Sequence, residues 1–175
     1  MFKSIVLLAL AAIAAVLIYA ASKPDTFRVE RTVSIKAPLE KIFAILNDYH
    51  NWPSWSPYER LDPAMTRTYS GAASGKGSIY AWEGNSNIGE GRMEILESTT
   101  PSKLGIKLDF LKPFEAHNIA DFTLAPRGDH TDVTWAMHGP LPYTAKVMHT
   151  FINMDKMVGG QFAEGLANLK AVAEK

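Results

Sequence analysis

Lys103-Leu104-Gly105-Ile106-Lys107-Leu108-Asp109-Phe110, Asn118-Ile119-Ala120-Asp121-Phe122-Thr123-Leu124-Ala125 and Thr131-Asp132-Val133-Thr134-Trp135-Ala136-Met137-His138 follow one another closely, and their alternation decides the fold. Large apolar side chains take every second place in each run, the period of a half-buried strand. A turn at Arg127-Gly128-Asp129-His130 sets Phe122 opposite Trp135 and Leu124 opposite Val133. A turn through residues 111–117 sets Ile106 opposite Phe122 and Lys107 opposite Asp121. The large apolar residues of the three strands, Ile119 excepted, then share one face, and a Thr123–Thr134 pair stands on the other. A slip of one residue would destroy this agreement. The stretch therefore reads as antiparallel sheet.

Upstream, Met65–Ser70, Gly77–Glu83 and Gly89–Glu97 read as three further strands cut by glycine and proline. Before them, Phe27, Val29, Val33 and Ile35 alternate with polar partners, although Arg31 interrupts the apolar row. Ala37-Pro38 opens a helix, and Leu39, Ile42, Phe43 and Leu46 form one stripe on it. Tyr49–Tyr58 is an irregular stretch dense in rings, whose two prolines exclude a regular helix and a central strand. Downstream, Val158, Phe162, Leu166, Leu169 and Val172/Ala173 recur at helical spacing. Leu141-Pro142 and Gly159-Gly160 mark an earlier helical piece, Tyr143 to about Lys156, as kinked or separate. The expectation is an α+β fold, in which only the last helix is long enough to cover the apolar face of the sheet.

At the other end, Ile5 to Ala21 is a run of seventeen apolar residues, preceded by Lys3 and closed by Lys23-Pro24-Asp25. As a helix it measures about 25 Å, against a hydrocarbon core of ~30 Å. One reading is a single-pass membrane anchor through residues 5–21 with the domain outside the cytoplasm. The other is a signal segment cleaved near Ala20-Ala21-Ser22, which leaves a secreted or periplasmic domain. Residues 1–22 are thus set apart from one globular domain over 26–175.

Charge balances at 18 basic against 18 acidic residues, so there is no field to hold a phosphate backbone, and nucleic acid is not an expected partner. The absence of cysteine excludes disulfide scaffolds, thiol nucleophiles and thiolate metal sites. The five histidines are scattered without ligand spacing, no glycine run opens a helix, and no G-x-S-x-G elbow occurs. No metal and no cofactor is expected.

The order of elements, Val33-Ser34-Ile35-Lys36-Ala37-Pro38 leading into Glu40-Lys41-Ile42-Phe43-Ala44, and Trp52-Pro53-Ser54-Trp55-Ser56-Pro57 resemble the START-like, helix-grip (SRPBCC) superfamily. Within it the chain is most similar to the bacterial polyketide cyclase/dehydrase and lipid-transport group, over about Phe27 to Lys175. The resemblance implies a curved sheet of about seven strands gripping a long C-terminal helix around a hydrophobic cavity. It implies no single chemistry, since lipid carriers, hormone receptors, aromatase/cyclases and chaperone activators share the fold.

On that reading the partner is a small hydrophobic or lipid-like molecule, and no protein partner is identified. Trp55, Trp82, Phe110, Phe122, Trp135, Met137 and Met154 are candidates to line the cavity, with Met148 and Met157 as adaptable wall. Each has an alternative as plain core. An enzyme of the cyclase/dehydrase kind needs an acid or base in the cavity, for which Glu83 and Arg92 lead Glu90, Asp109 and His117. Asp109 shares a face with Lys107 and reads as solvated, and His117 reads as a surface residue. A protein-interaction module is the third reading, using the sheet's outer face or the Trp52–Tyr58 loop; it gains if side chains fill the cavity and the loop's rings are exposed as a patch.

Overall fold

Alternation becomes seven antiparallel strands in the computed structural model of the chain, which describes residues 2–175. They are β1 (Thr26–Ile35), β2 (Thr66–Gly71), β3 (Ser78–Glu83), β4 (Glu90–Thr99), β5 (Lys103–Lys112), β6 (Ala116–Arg127) and β7 (His130–Pro140). Their order across the sheet is β1-β7-β6-β5-β4-β3-β2, so β1 joins the end of a meander. The chain must therefore cross the sheet between β1 and β2. It does so through α2 (Leu39–Leu46) and two 3-10 turns, Tyr49–Ser54 and Pro57–Arg60. The ring-rich stretch is thus wound rather than irregular; proline excludes α-helix there but admits these tight single turns.

The β6–β7 register is the expected one, Phe122 facing Trp135 and Leu124 facing Val133. The β5–β6 register differs from expectation by two residues. Leu104 faces Phe122, Ile106 faces Ala120, and Lys107 faces Ile119 rather than Asp121. Both strands run further than the alternation indicated, to Lys112 and from Ala116, which shortens the turn. A shift of two leaves every side chain on its own face, so the pattern of alternation could not detect it.

The C-terminal region forms α3 (Tyr143–Phe151) and α4 (Met154–Ala173). The break falls at Ile152-Asn153, and Gly159-Gly160 lies inside α4. Phe162, Leu166, Leu169 and Ala173 are buried against the sheet, as the helical spacing predicts. Arg31, on the inward row of β1, forks onto Asp155 with Nη1–Oδ1 and Nη2–Oδ2 distances of 2.9 and 3.0 Å. Gly159 makes room for it, because a Cβ there would collide with the guanidinium. The N-terminal run forms α1 (Phe2–Ala21), exposed along most of its length and touching the rest of the chain near Val16 and Ala20.

Candidate functional site

An unbroken series of rings runs from α4 across the inner face of the sheet. Trp135 of β7 stacks on Phe162 of α4 at 4.0 Å between centroids and on Phe122 of β6 at 5.1 Å. Trp55 meets Trp135 edge-on at 5.5 Å and lies tilted against Trp52 at 4.9 Å. Tyr49 continues the series to Tyr80 at 5.7 Å, and Trp82 ends it against Phe110 at 6.0 Å. Two glycines permit the approach. A Cβ on Gly165 would sit 2.8 Å from the Trp135 ring, and one on Gly91 would collide with Trp82.

The polar atoms of these rings divide into two sets. Trp52 Nε1 donates to the Leu46 carbonyl at 3.0 Å and Trp82 Nε1 to the Ile88 carbonyl at 3.2 Å. Tyr49 Oη, Trp55 Nε1 and Trp135 Nε1 are buried and have no partner among the described residues. Burial, reinforced by Glu94, pushes the Tyr49 hydroxyl well above the ordinary tyrosine range, so it stays a donor. Beside this series Glu59 is buried, accepting from Tyr80 Oη and from Arg67 Nε, both at 2.7 Å.

The structure therefore brings together Trp55, Phe122, Trp135 and Met137 in the buried core, with Trp82 at its far end and Phe110 partly buried at the margin. The rings touch one another and occupy the space that was expected to hold an open cavity. Two clefts, of about 420 and 190 Å³, lie elsewhere, and neither is lined by Trp55, Phe122, Trp135 or Met137. Met154 lines the larger cleft, beside α1 and α3. Met148 and Met157 are exposed and form no inner wall. Glu83 and Arg92 line the smaller cleft with Thr66, Thr68, Glu90 and Trp82, and Glu83 itself does not join the ring series. Parity explains this, since Trp82 takes the inward place on β3 and Glu83 the outward one. Asp109 is a correction: it is buried, because Lys107 at 2.8 Å and His117 at 2.7 Å close over its carboxylate.

Sequence reasoning did not single out Tyr49, Glu59, Tyr80 or Phe162 as site residues. Tyr80 carried a usable signal, having the parity of Trp82. Glu59 carried none, for its burial depends on Arg67 and Tyr80 arriving from other elements.

Residues 26–174 match the family model described as polyketide cyclase / dehydrase and lipid transport. A comparison with curated proteins finds no sequence relative. Among solved structures, a protein of Chromobacterium violaceum is similar at a TM-score of 0.59 and 18% identity, over 87% of this chain and 99% of that one. The Aha1 dimer from Colwellia psychrerythraea is similar at 0.57 and 18%, over 85% and 96%. The di-domain ARO/CYC StfQ from the steffimycin biosynthetic pathway is similar at 0.62 and 12%, over 85% of this chain and 51% of that one. At these identities the likeness is one of fold.

Proposed function

The chain belongs to the polyketide cyclase/dehydrase and lipid-transport family, and on that premise we propose that it is a membrane-tethered receptor or carrier for a small apolar molecule bearing rings and oxygen. The molecule lodges among the rings between the sheet and α4, and α1 holds the domain at a bilayer. The observation that supports this reading is the trio of buried, unpartnered donors, Tyr49 Oη, Trp55 Nε1 and Trp135 Nε1. An unsatisfied buried donor costs ~1–3 kcal/mol, and folded proteins seldom keep several in one cluster. A ketone or phenol oxygen delivered on an aromatic frame would satisfy such donors while its rings stack on Trp135 and Phe122. Because those rings already touch, the ligand must part them on binding. The exposed start of α4 has little apolar packing to lose. For an interaction module, Trp52 and Trp55 are buried and offer no exposed ring patch, which leaves that reading only the sheet's outer face.

The test is tryptophan fluorescence of the full chain in nanodiscs, titrated with a hydroxyanthraquinone and, as an oxygen-free control, with anthracene. We expect saturable quenching by the quinone. Trp55→Phe should weaken quinone binding by roughly tenfold, the worth of one hydrogen bond of ~1.4 kcal/mol, and leave anthracene unchanged. An absence of quenching by either compound would mean a permanently closed core and would sink the proposal.

A further inference from the structure

Apolar side chains left in solvent are informative when they cluster. Among the described residues outside α1, eight large apolar side chains are exposed; Met148, Phe151, Ile152 and Met157 lie about the elbow where α3 turns into α4, and Tyr143 begins α3. Their exposures run from 42% at Ile152 to 74% at Phe151, so the described residues leave them largely uncovered. The elbow is also the place where α1 is fastened. Tyr143 Oη donates to the Leu17 carbonyl at 3.0 Å, and Lys23 Nζ donates to the His149 carbonyl at 2.7 Å.

We infer that this elbow is an interfacial docking face whose occupant is the phospholipid surface through which α1 passes. Depth supports the assignment. α1 has twenty residues, about 30 Å of helix and the thickness of a hydrocarbon core. Tyr143 grips it at Leu17, four residues or about 6 Å before its end. A bilayer that covers all of α1 therefore reaches past the start of α3. At the start of α3 that depth matches the ~5–10 Å to which interfacial helices bury their apolar faces.

Charge points the same way. Both carboxylates near the elbow are engaged by cations of the domain, Asp25 by Lys146 and Asp155 by Arg31. Burial and the adjacent Lys23 hold His149 below the ordinary histidine range, so it is neutral at pH 7. Lys23 and Lys156 are left to meet anionic headgroups. The cleft of about 420 Å³ lined by Tyr19, Lys23, His149, Phe151 and Met154 opens at that level and offers a headgroup both a cation and apolar walls. Docked in this way, the domain would hold the onset of α4 at the lipid surface.

This inference rests on the anchoring role of α1, and the experiment separates the two. The chain has no cysteine, so single cysteines report cleanly. Ile13→Cys, Phe151→Cys, Met157→Cys and Leu96→Cys, each carrying an environment-sensitive fluorophore, are placed in the full chain. The chains are reconstituted in phosphatidylcholine and phosphatidylglycerol vesicles that contain brominated lipid. We expect quenching at positions 151 and 157 comparable to that at 13 and several-fold greater than at 96, which lies on β4. If position 13 is quenched while 151 and 157 behave like 96, the anchor stands and the docking face is refuted. If position 13 is not quenched, the anchor itself fails and the docking face fails with it. A blue shift at 151 that lipid quenchers leave untouched would mean that protein covers the elbow, and would equally overturn the inference.

Discussion

Asp109 and His117 face each other across β5 and β6 on the side of the sheet turned away from the rings. Burial pushes the Asp109 carboxyl up, but hydrogen bonds from Lys107 and His117 outweigh it and leave the group below the usual range. The same bond raises His117 above its ordinary value. A histidine raised on folding lends stability that is complete below its unfolded value of ~6.5 and fades as pH rises through the folded value. A depressed aspartate lends stability that is present above its unfolded value of ~3.9 and is lost as pH falls through the folded one. The pair is thus at full strength between about pH 4 and 6.5. Titration of the His117 ring by NMR should show a midpoint above ~6.5, and Asp109→Asn should return it towards that value. An unchanged midpoint in the variant would dissolve the pairing. Sequence parity put Asp109 on the correct face and still misjudged its exposure, because solvation there depends on which neighbours lean over it.

α4 shows how an element is bounded by its caps more than by its glycines. Asn153 accepts from the Lys156 backbone N–H at 2.9 Å, and Asp155 adds a carboxylate to the first turn, where the helix dipole favours it. Gly159-Gly160 looked like a break, yet the two residues serve differently. Gly159 leaves space for Arg31, whereas a Cβ on Gly160 would meet nothing within 4 Å. Three substitutions should therefore separate. Asn153→Ala should cost about 1 kcal/mol. Gly160→Ala should stabilise by ~0.5–1 kcal/mol, through helix propensity alone. Gly159→Ala should gain less than Gly160→Ala, because the guanidinium must shift to admit the Cβ. Denaturant unfolding of the three variants checks this, and equal stabilisation by Gly159→Ala and Gly160→Ala would contradict the packing of Arg31 against α4.

At the scale of the whole molecule, the sheet closes on α4 through aromatic stacking, with Phe162 against Trp135 at its centre. Phe162→Ala should cost ~3–5 kcal/mol and lower the melting temperature by something of the order of 10 °C. Trp55→Phe removes an unpaired N–H and keeps most of the ring, so it should stay within ~1 kcal/mol of the parent. Melting curves that show equal losses for both would argue that the Trp55 indole N–H has a partner. The division between chain and fold follows the range of the forces involved. Alternation along 103–138, the stripe from Phe162 to Ala173 and the apolar run from Ile5 to Ala21 are local patterns. They settled the face of each strand, the covering helix and the exposed leader, because burial acts on neighbours a fixed step apart. The two-residue register of β5 on β6, the burial of Asp109 and the meeting of Trp55, Trp135 and Phe162 were decided only by the tertiary structure. Whether those rings line a space or fill it depends on the sheet's curvature and on how the turns after α2 cross it. That volume is set jointly by side chains more than a hundred residues apart, and no local pattern encodes it.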